Sequence, residues 1–284
     1  MSKDVEILIK ALPYIIKFRD SIIVIKYGGS VMTNEELKKS FCENVVLIKT
    51  LGMHPVIVHG GGKKITELMN KLNKEPVFIK GQRVTDAETM EVVEMVLSGI
   101  INKDIVFNII KVGGKAVGIS GKDSFTIKAK KKIIETGEDL GFVGEVDKIE
   151  PSLILSLIKD GYIPVISPVG VDEDGNSYNI NADDVTAEVA VALKADKLIY
   201  LTDVDGIYED INNPETFISS ITIKKLEELV EKGVIKEGMI PKAMSMIKAV
   251  ERGVNKVHII NGTIKNSLLI EIFTDEGIGT QITI

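Results

Sequence analysis

The sequence predicts an α/β protein on a mainly parallel, open sheet with helices on both faces. Three observations carry that reading. Short runs such as Ile22-Ile23-Val24-Ile25 and Val56-Ile57-Val58 lack polar alternation, as strands buried on both sides do. Helical patterns separate such runs, as βα units require. Two of the runs open directly into glycine turns, Lys26-Tyr27-Gly28-Gly29-Ser30 and His59-Gly60-Gly61-Gly62.

The elements follow in chain order. Val5, Leu8, Ile9, Leu12, Ile15 and Ile16 fall on one stripe of an N-terminal helix, which Pro13 is expected to kink. Strands are expected at 22–27, 55–59, 115–120, 163–167, 197–202, 255–260 and 268–273. Ile65, Leu68, Met69 and Leu72 recur at i, i+3, i+4 and i+7, and 86–110 and 184–194 also read as helices. Residues 121–150 break this rhythm and read as an inserted hairpin. Its Lys128, Lys130, Lys131 and Lys132 are expected to guard a solvated edge strand rather than to face an anionic substrate. Ligands of parallel sheets gather at the carboxyl ends of strands, where Lys26, His59, Ser120, Ser167 and Thr202 fall.

Composition removes several function classes. A chain of 284 residues, 44% hydrophobic, can bury a large core as one domain or as two lobes sharing a sheet. A net charge of −6 argues against nucleic acid as a partner. Cys42 is the only cysteine, so no disulfide framework exists and a reducing cytoplasm is expected. No apolar run reaches the roughly 20 residues of a membrane span, and no signal peptide is expected.

The motifs remove others. Both Gly-Lys pairs fail the Walker A spacing: Gly62-Lys63 is followed by Lys64, and Gly121-Lys122 by Asp123. Neither glycine turn fits the dinucleotide fingerprint. No His and Cys cluster suggests a protein metal site. His54, His59 and His258 have no nucleophile elbow to serve, and His59 is expected to pack at a strand end. What remains is a pair of strand-to-helix glycine turns whose N–H groups can hold an anion, one with a lysine at the strand end.

Six motifs in order then identify a resemblance. They are Lys26-Tyr27-Gly28-Gly29-Ser30, His59-Gly60-Gly61-Gly62, Gly81-Gln82-Arg83-Val84-Thr85, Asn179-Ile180-Asn181-Ala182-Asp183, Leu201-Thr202-Asp203-Val204-Asp205-Gly206 and Gly238-Met239-Ile240-Pro241-Lys242. Over essentially the whole chain the sequence resembles the N-acetyl-L-glutamate kinases of arginine biosynthesis, in the amino-acid kinase family. The resemblance implies a three-layer αβα sandwich. It also implies a helix at 1–20 for oligomerisation, an amino-acid lobe at 21–178 and an ATP lobe at 179–284. The implied reaction is phosphoryl transfer from MgATP to the side-chain carboxylate of N-acetyl-L-glutamate.

A carboxylate nucleophile is ionised at pH 7 and needs no general base, which suits a chain with three histidines. The barrier is electrostatic, and fixed cations and N–H donors answer it. The resemblance assigns Lys26 and Lys242 to that task, with Asp183 orienting both. Asp183 and Asp184 also suit the first turn of a helix. Gly28 and Gly29 are implied to approach the γ-phosphate, and Gly61 and Gly62 the substrate; each also reads as a tight turn needing positive φ. Arg83, beside a helix-capping Thr85, is the candidate grip on the α-carboxylate, and Asn179 a second substrate contact. Asp203, Val204, Asp205, Gly206, Ile207 and Tyr208, with Val234, Ile235 and Lys236, match nucleotide-binding stretches. Arginine-sensitive members carry a similar N-terminal helix that links dimers into a hexamer, a trimer of dimers, and helps form a feedback site for arginine. Asn266 stands where those members carry histidine. The alternatives are a carrier-linked aminoadipate kinase of lysine biosynthesis and a non-catalytic amino-acid sensor.

Overall fold

The computed structural model describes residues 3–134, 137–236, 238–275 and 277–284, with side chains from residue 9 onward. Its main sheet has eight strands: β1 (Ile22–Tyr27), β2 (His54–His59), β3 (Ala116–Ile119), β6 (Ile163–Ile166), β9 (Lys197–Thr202), β10 (Ser220–Thr222), β11 (Val257–Asn261) and β12 (Thr280–Thr283). The order is β10-β12-β11-β9-β1-β2-β6-β3, and every pair is parallel except β11 with β12. The inserted hairpin is present as β4 (Ile127–Lys131) and β5 (Gly144–Ile149). These join β7 (Val169–Val171) and β8 (Ser177–Asn179) in a second sheet ordered β8-β7-β4-β5.

Alternation along the central strands builds two cores and hence three layers. Val24, Val56 and Val58 face α6 (Ser152–Lys159), α7 (Ala182–Ala192), α8 (Ile223–Glu231) and α9 (Ile240–Glu251). Ile23, Ile25, Tyr27 and Ile57 face the other layer. That layer holds α2 (Glu35–Thr50), α3 (Gly62–Lys71), α4 (Ala87–Glu94), α5 (Asn102–Lys111) and α10 (Ser267–Phe273). A π-helical segment, Met95–Ile101, joins α4 to α5. The N-terminal helix, α1 (Lys3–Phe18), continues through Pro13 and packs on α10. The side chains of Val5 and Leu8 lie outside the described residues.

Three expectations are corrected. Residues 268–273 form α10 rather than a strand, because Leu268, Glu271 and Ile272 are buried at the i, i+3, i+4 spacing of one helical face. Glu271 accepts from the N–H groups of Ile278 and Gly279 and meets His258 Nδ1 at 2.5 Å, so this face ends in a polar anchor. The lysine-bearing strand β4 is interior to the second sheet, whose edges are β5 and β8. Asp86 rather than Thr85 caps α4, its carboxylate accepting from the Thr89 N–H at 2.7 Å.

Lys197 begins β9 with 4% exposure, its Nζ 5.0 Å above the Phe18 ring. Burial pushes its pKa down to about 8. The unfolded chain therefore binds the extra proton between about pH 8 and its ordinary value of 10.5, and stability rises with pH across that window. Lys197→Met is expected to stabilise the protein at pH 7 by about 2 kcal/mol, less than the full shift because Glu271 loses a nearby cation. Denaturation at pH 7 and pH 10 checks this: the gain shrinks at the higher pH.

Candidate active site

The strand order reverses beside β1: the chain moves from β1 to β2 on one side and later returns to β9 on the other. Crevices at such a point collect ligands at the carboxyl ends of strands. Lys26 lies near the end of β1, 8% exposed. Asp183 occupies the first turn of α7, its N–H donating to the capping Asn181 side chain at 2.7 Å. Lys242 occupies the first turn of α9, a place the helix dipole disfavours for a cation. Asp183 resolves that conflict. Its Oδ1 lies 3.2 Å from Lys26 Nζ and its Oδ2 3.1 Å from Lys242 Nζ.

Asp183 is 4% exposed. Burial alone would push its carboxyl up, but the two ammonium groups outweigh it and hold the carboxyl below its usual range. Lys26 Nζ meets only Oδ1 as an ion pair, and an ammonium has three N–H donors, so one carboxylate oxygen does not use them all. Two cations and one anion leave the cluster with net positive charge, held rigidly where three elements converge. Asp184, the next residue on α7, is pushed up by burial.

A cavity of about 340 Å³ reaches this cluster at Lys26, and its lining also includes Gly28, Gly29, Gly61, Gly62, Arg83, Lys132 and Asn179. A larger one of about 740 Å³ lies beyond Gly29, Gly61 and Gly62, against α2, α3 and α5. Its lining includes none of Lys26, Arg83 and Asn179, so the smaller cavity is the candidate site.

Arg83 is 8% exposed, 4.7 Å beneath the Phe78 ring. It donates to the Gly62 carbonyl at 3.0 Å, Thr66 Oγ1 at 2.8 Å and Met69 Sδ at 3.3 Å. Thr85 Oγ1 donates to the Arg83 carbonyl at 2.8 Å and accepts from Asn179 Nδ2 at 3.2 Å, so it bridges two expected substrate contacts.

The glycines act mainly through space, and positive φ is needed at only one of the four. Gly29 has φ +71, whereas Gly28 is extended and Gly61 has φ 170 with ψ 13. A Cβ at Gly28 would stand 2.8 Å from Lys26 Nζ, and one at Gly61 would stand 2.4 Å from Ile101 Cδ1. His59 is fully buried and neutral, burial pushing its pKa down to about 4.

The stretches expected to bind nucleotide line neither cavity. Asp203 is turned to the first glycine turn, accepting from Ser30 N–H at 3.0 Å and Ser30 Oγ at 2.7 Å. Asp205 accepts from Asn261 Nδ2 at 2.7 Å and Tyr208 OH at 3.3 Å. Gly206 lies against Thr280, whose Oγ1 accepts from the Ile207 N–H at 2.8 Å. Ile207, Ile235 and the partly buried Val234 share one apolar cluster; Val204 and Lys236 are exposed. Ser30 and Thr85 had no role assigned from sequence beyond turn and cap, because their partners are 173 and 94 residues away.

The sequence profile described as "Amino acid kinase family" matches residues 21–261. An acetylglutamate kinase of Methanocaldococcus jannaschii is 55% identical over 291 residues, covering 100% of this chain and 97% of that protein. The Moorella thermoacetica enzyme is 54% identical, covering 97% and 96%. Among solved structures, N-acetylglutamate synthase of Neisseria gonorrhoeae, complexed with coenzyme A and N-acetyl-glutamate, superposes with a TM-score of 0.88 at 25% identity. That match covers 100% of this chain and 64% of the synthase. Giardia carbamate kinase shares the fold, with a TM-score of 0.65 at 16% identity over 93% of this chain and 98% of that one. The family profile over residues 21–261 and the full-length relatives together show that the chain belongs to the amino acid kinase family, among the acetylglutamate kinases.

Proposed function

We propose that the protein transfers the γ-phosphoryl group of ATP to the side-chain carboxylate of N-acetyl-L-glutamate, giving the acyl phosphate used in arginine biosynthesis. A carboxylate oxygen forms the new P–O bond as the bond to the ADP oxygen breaks. The observation that carries this is the Lys26–Asp183–Lys242 cluster beside two glycine turns. Lys26 and Lys242 stabilise charge on the transferred group, Asp183 fixes them, and Gly28 and Gly29 let the backbone approach the phosphate. Residues 21–178 hold the acceptor and 179–284 the nucleotide, through Asp203–Tyr208 and Val234–Lys236.

Mg²⁺ arrives on the phosphates of ATP, where it neutralises charge. Asp183 is engaged by two lysines and Asp203 by Ser30, so neither is set out as a metal ligand. Among the described residues no group of three or more His, Cys, Asp or Glu side chains is arranged to hold a metal.

The aminoadipate alternative calls for a free basic entrance. Lys128, Lys130 and Lys131 instead pair with Glu173, Glu145 and Asp139. The sensor alternative leaves the buried Lys–Asp–Lys arrangement without a purpose. ADP release measured with N-acetylglutamate, glutamate, aspartate and carbamate tests the reading; turnover only with another acceptor overturns it.

Arg83 grips the α-carboxylate, with Gly61, Gly62 and Asn179 completing the acceptor site. A guanidinium has five N–H donors, and three are used within the protein, so Nε–H and one Nη1–H remain as single donors. Arg83→Lys is expected to raise KM for N-acetylglutamate about tenfold or more while KM for ATP changes little. A matched rise in both constants would place the arginine elsewhere.

The finer assignment of partners rests on α1. The protein forms a hexamer, a trimer of dimers linked by α1, and works in the cytoplasm. Arginine binds as feedback inhibitor where α1 meets α10. Tyr14 OH donates to Asp275 across that junction. Asn266 is engaged by α2 instead, its Oδ1 accepting from Ser40 Oγ and Asn44 Nδ2.

A further inference from the structure

We propose that His59 is a positioning residue, which holds the Gly60–Gly61 peptide so that the Gly61 N–H is aimed at the transferred phosphoryl group. This deepens the phosphoryl-transfer reading and rests on it. His59 ends β2, fully buried, with His Nδ1 2.9 Å from the Gly60 carbonyl oxygen. A carbonyl only accepts, so the proton is on Nδ1 and Nε2 is an acceptor. Nε2 lies 3.3 Å from Asn102 Nδ2, a donor.

The Asn102 amide has one consistent orientation. Nδ2 also donates to the Val165 carbonyl at 2.9 Å, and Oδ1 accepts from Lys103 Nζ at 3.1 Å. Asn102 is itself fully buried and directly follows the π-helical segment. Such segments concentrate at functional sites. Here the segment also brings Leu97 and Ile101 over Gly61, where a Cβ would stand 2.5 and 2.4 Å from them.

The consequence follows from peptide planarity. The Gly60–Gly61 peptide is trans, as are all peptides among the described residues, so the N–H of Gly61 points opposite to the Gly60 carbonyl. With that carbonyl held by a buried ring, the N–H points away from the ring. It has no acceptor among the described residues, and Gly61 lines the cavity that contains Lys26. The Gly60 N–H donates to the Tyr27 carbonyl of β1 and the Gly61 carbonyl accepts from Ile65, so both flanks are fixed. One free N–H in a rigid turn beside a lysine is a preorganised donor for developing negative charge.

Two substitutions separate this from packing. The Asn side-chain nitrogen superposes on His Nδ1 and keeps the donor to Gly60; the Gln nitrogen superposes on Nε2 and loses it. His59→Gln is expected to lower kcat about tenfold or more, with both KM values within about twofold, because the contact forms in the transition state. His59→Asn is expected to keep kcat within about threefold. A packing role predicts the reverse order, since Asn leaves the larger void; equal kcat values, or the reverse order, overturn the proposal. The tautomer is checked without chemistry, by ¹⁵N NMR of histidine-labelled protein at pH 7. Nδ1–H with bare Nε2 at His59 is expected, and Nε2–H with bare Nδ1 overturns the proposal even if the variants fail to fold. Wild-type inactivity toward N-acetylglutamate would instead remove the functional reading and leave this tautomer intact.

Discussion

Lys26→Ala and Lys242→Ala are each expected to lower kcat by about 10²-fold or more, as loss of one preorganised charge-stabilising group does. Either change takes the cluster from two cations and one anion to a neutral pair, just where two anions must meet. The two variants differ in their effect on the fold. The Lys26 side chain is 10% exposed and that of Lys242 25%, so Lys26→Ala leaves the larger buried defect beside Asp183. Asp183→Asn keeps the shape, frees both lysines from their common orienter, and lowers kcat as well. The pH sign follows from the lowered carboxyl pKa. The stabilisation from Asp183 is present above the ordinary carboxylate range and is lost as pH falls through the lower folded value. Removing either lysine lets burial push that carboxyl up, so the acid limb of stability moves to higher pH. Steady-state ADP release and denaturation across acid pH measure both effects. Near-wild-type turnover in either lysine variant would remove the electrostatic mechanism.

The sheet was largely legible in the sequence because its central strands are apolar on both faces and end in polar residues. Ile22–Tyr27 and Lys197–Thr202 form strands with the bounds expected. The misread segment, 268–273, fails for an equally physical reason: six residues do not distinguish a buried strand from a short buried helix. The decisive information was the burial of a charged residue, Glu271, alongside Leu268 and Ile272. The second sheet was half visible. Its hairpin stood out by alternation, but β7 and β8 have three residues each and carry little periodicity of their own.

The site was legible where one residue does one local thing. Lys26 lies near a strand end before a glycine turn, and that placement was readable from its local sequence alone. Lys242 was not readable in that way, because in sequence it is a lysine at a helix start, and only Asp183, 59 positions earlier, explains it. Thr85 was misread as a cap because Asp86 beside it offers the better acceptor. Asn102 left no mark at all. A buried asparagine in a helix has no local signature, and its partners His59 and Val165 are 43 and 63 residues away.

The assembly prediction turns on how α1 divides its surface. Phe18 is buried and Tyr14 packs into the core beside α10, so that side is occupied within the chain. Ile9, Leu12 and Ile16 recur at i, i+3 and i+7 and remain 53%, 49% and 68% exposed. Fully burying such side chains gains about 1.5–3 kcal/mol each, ample reason for helices of neighbouring subunits to pair. Deleting residues 2–18 is expected to convert a hexamer to dimers, keep most of kcat, and abolish inhibition by arginine. That deletion also strips Phe18 from Lys197, so a triple Ile9→Glu, Leu12→Glu, Ile16→Glu variant is the sharper experiment. It charges only the outward stripe and leaves the Tyr14 and Phe18 contacts in place. Light scattering should report dimers for both variants and a hexamer for the parent. A dimeric full-length protein would sink the assignment, because the exposed stripe would then have no partner to meet.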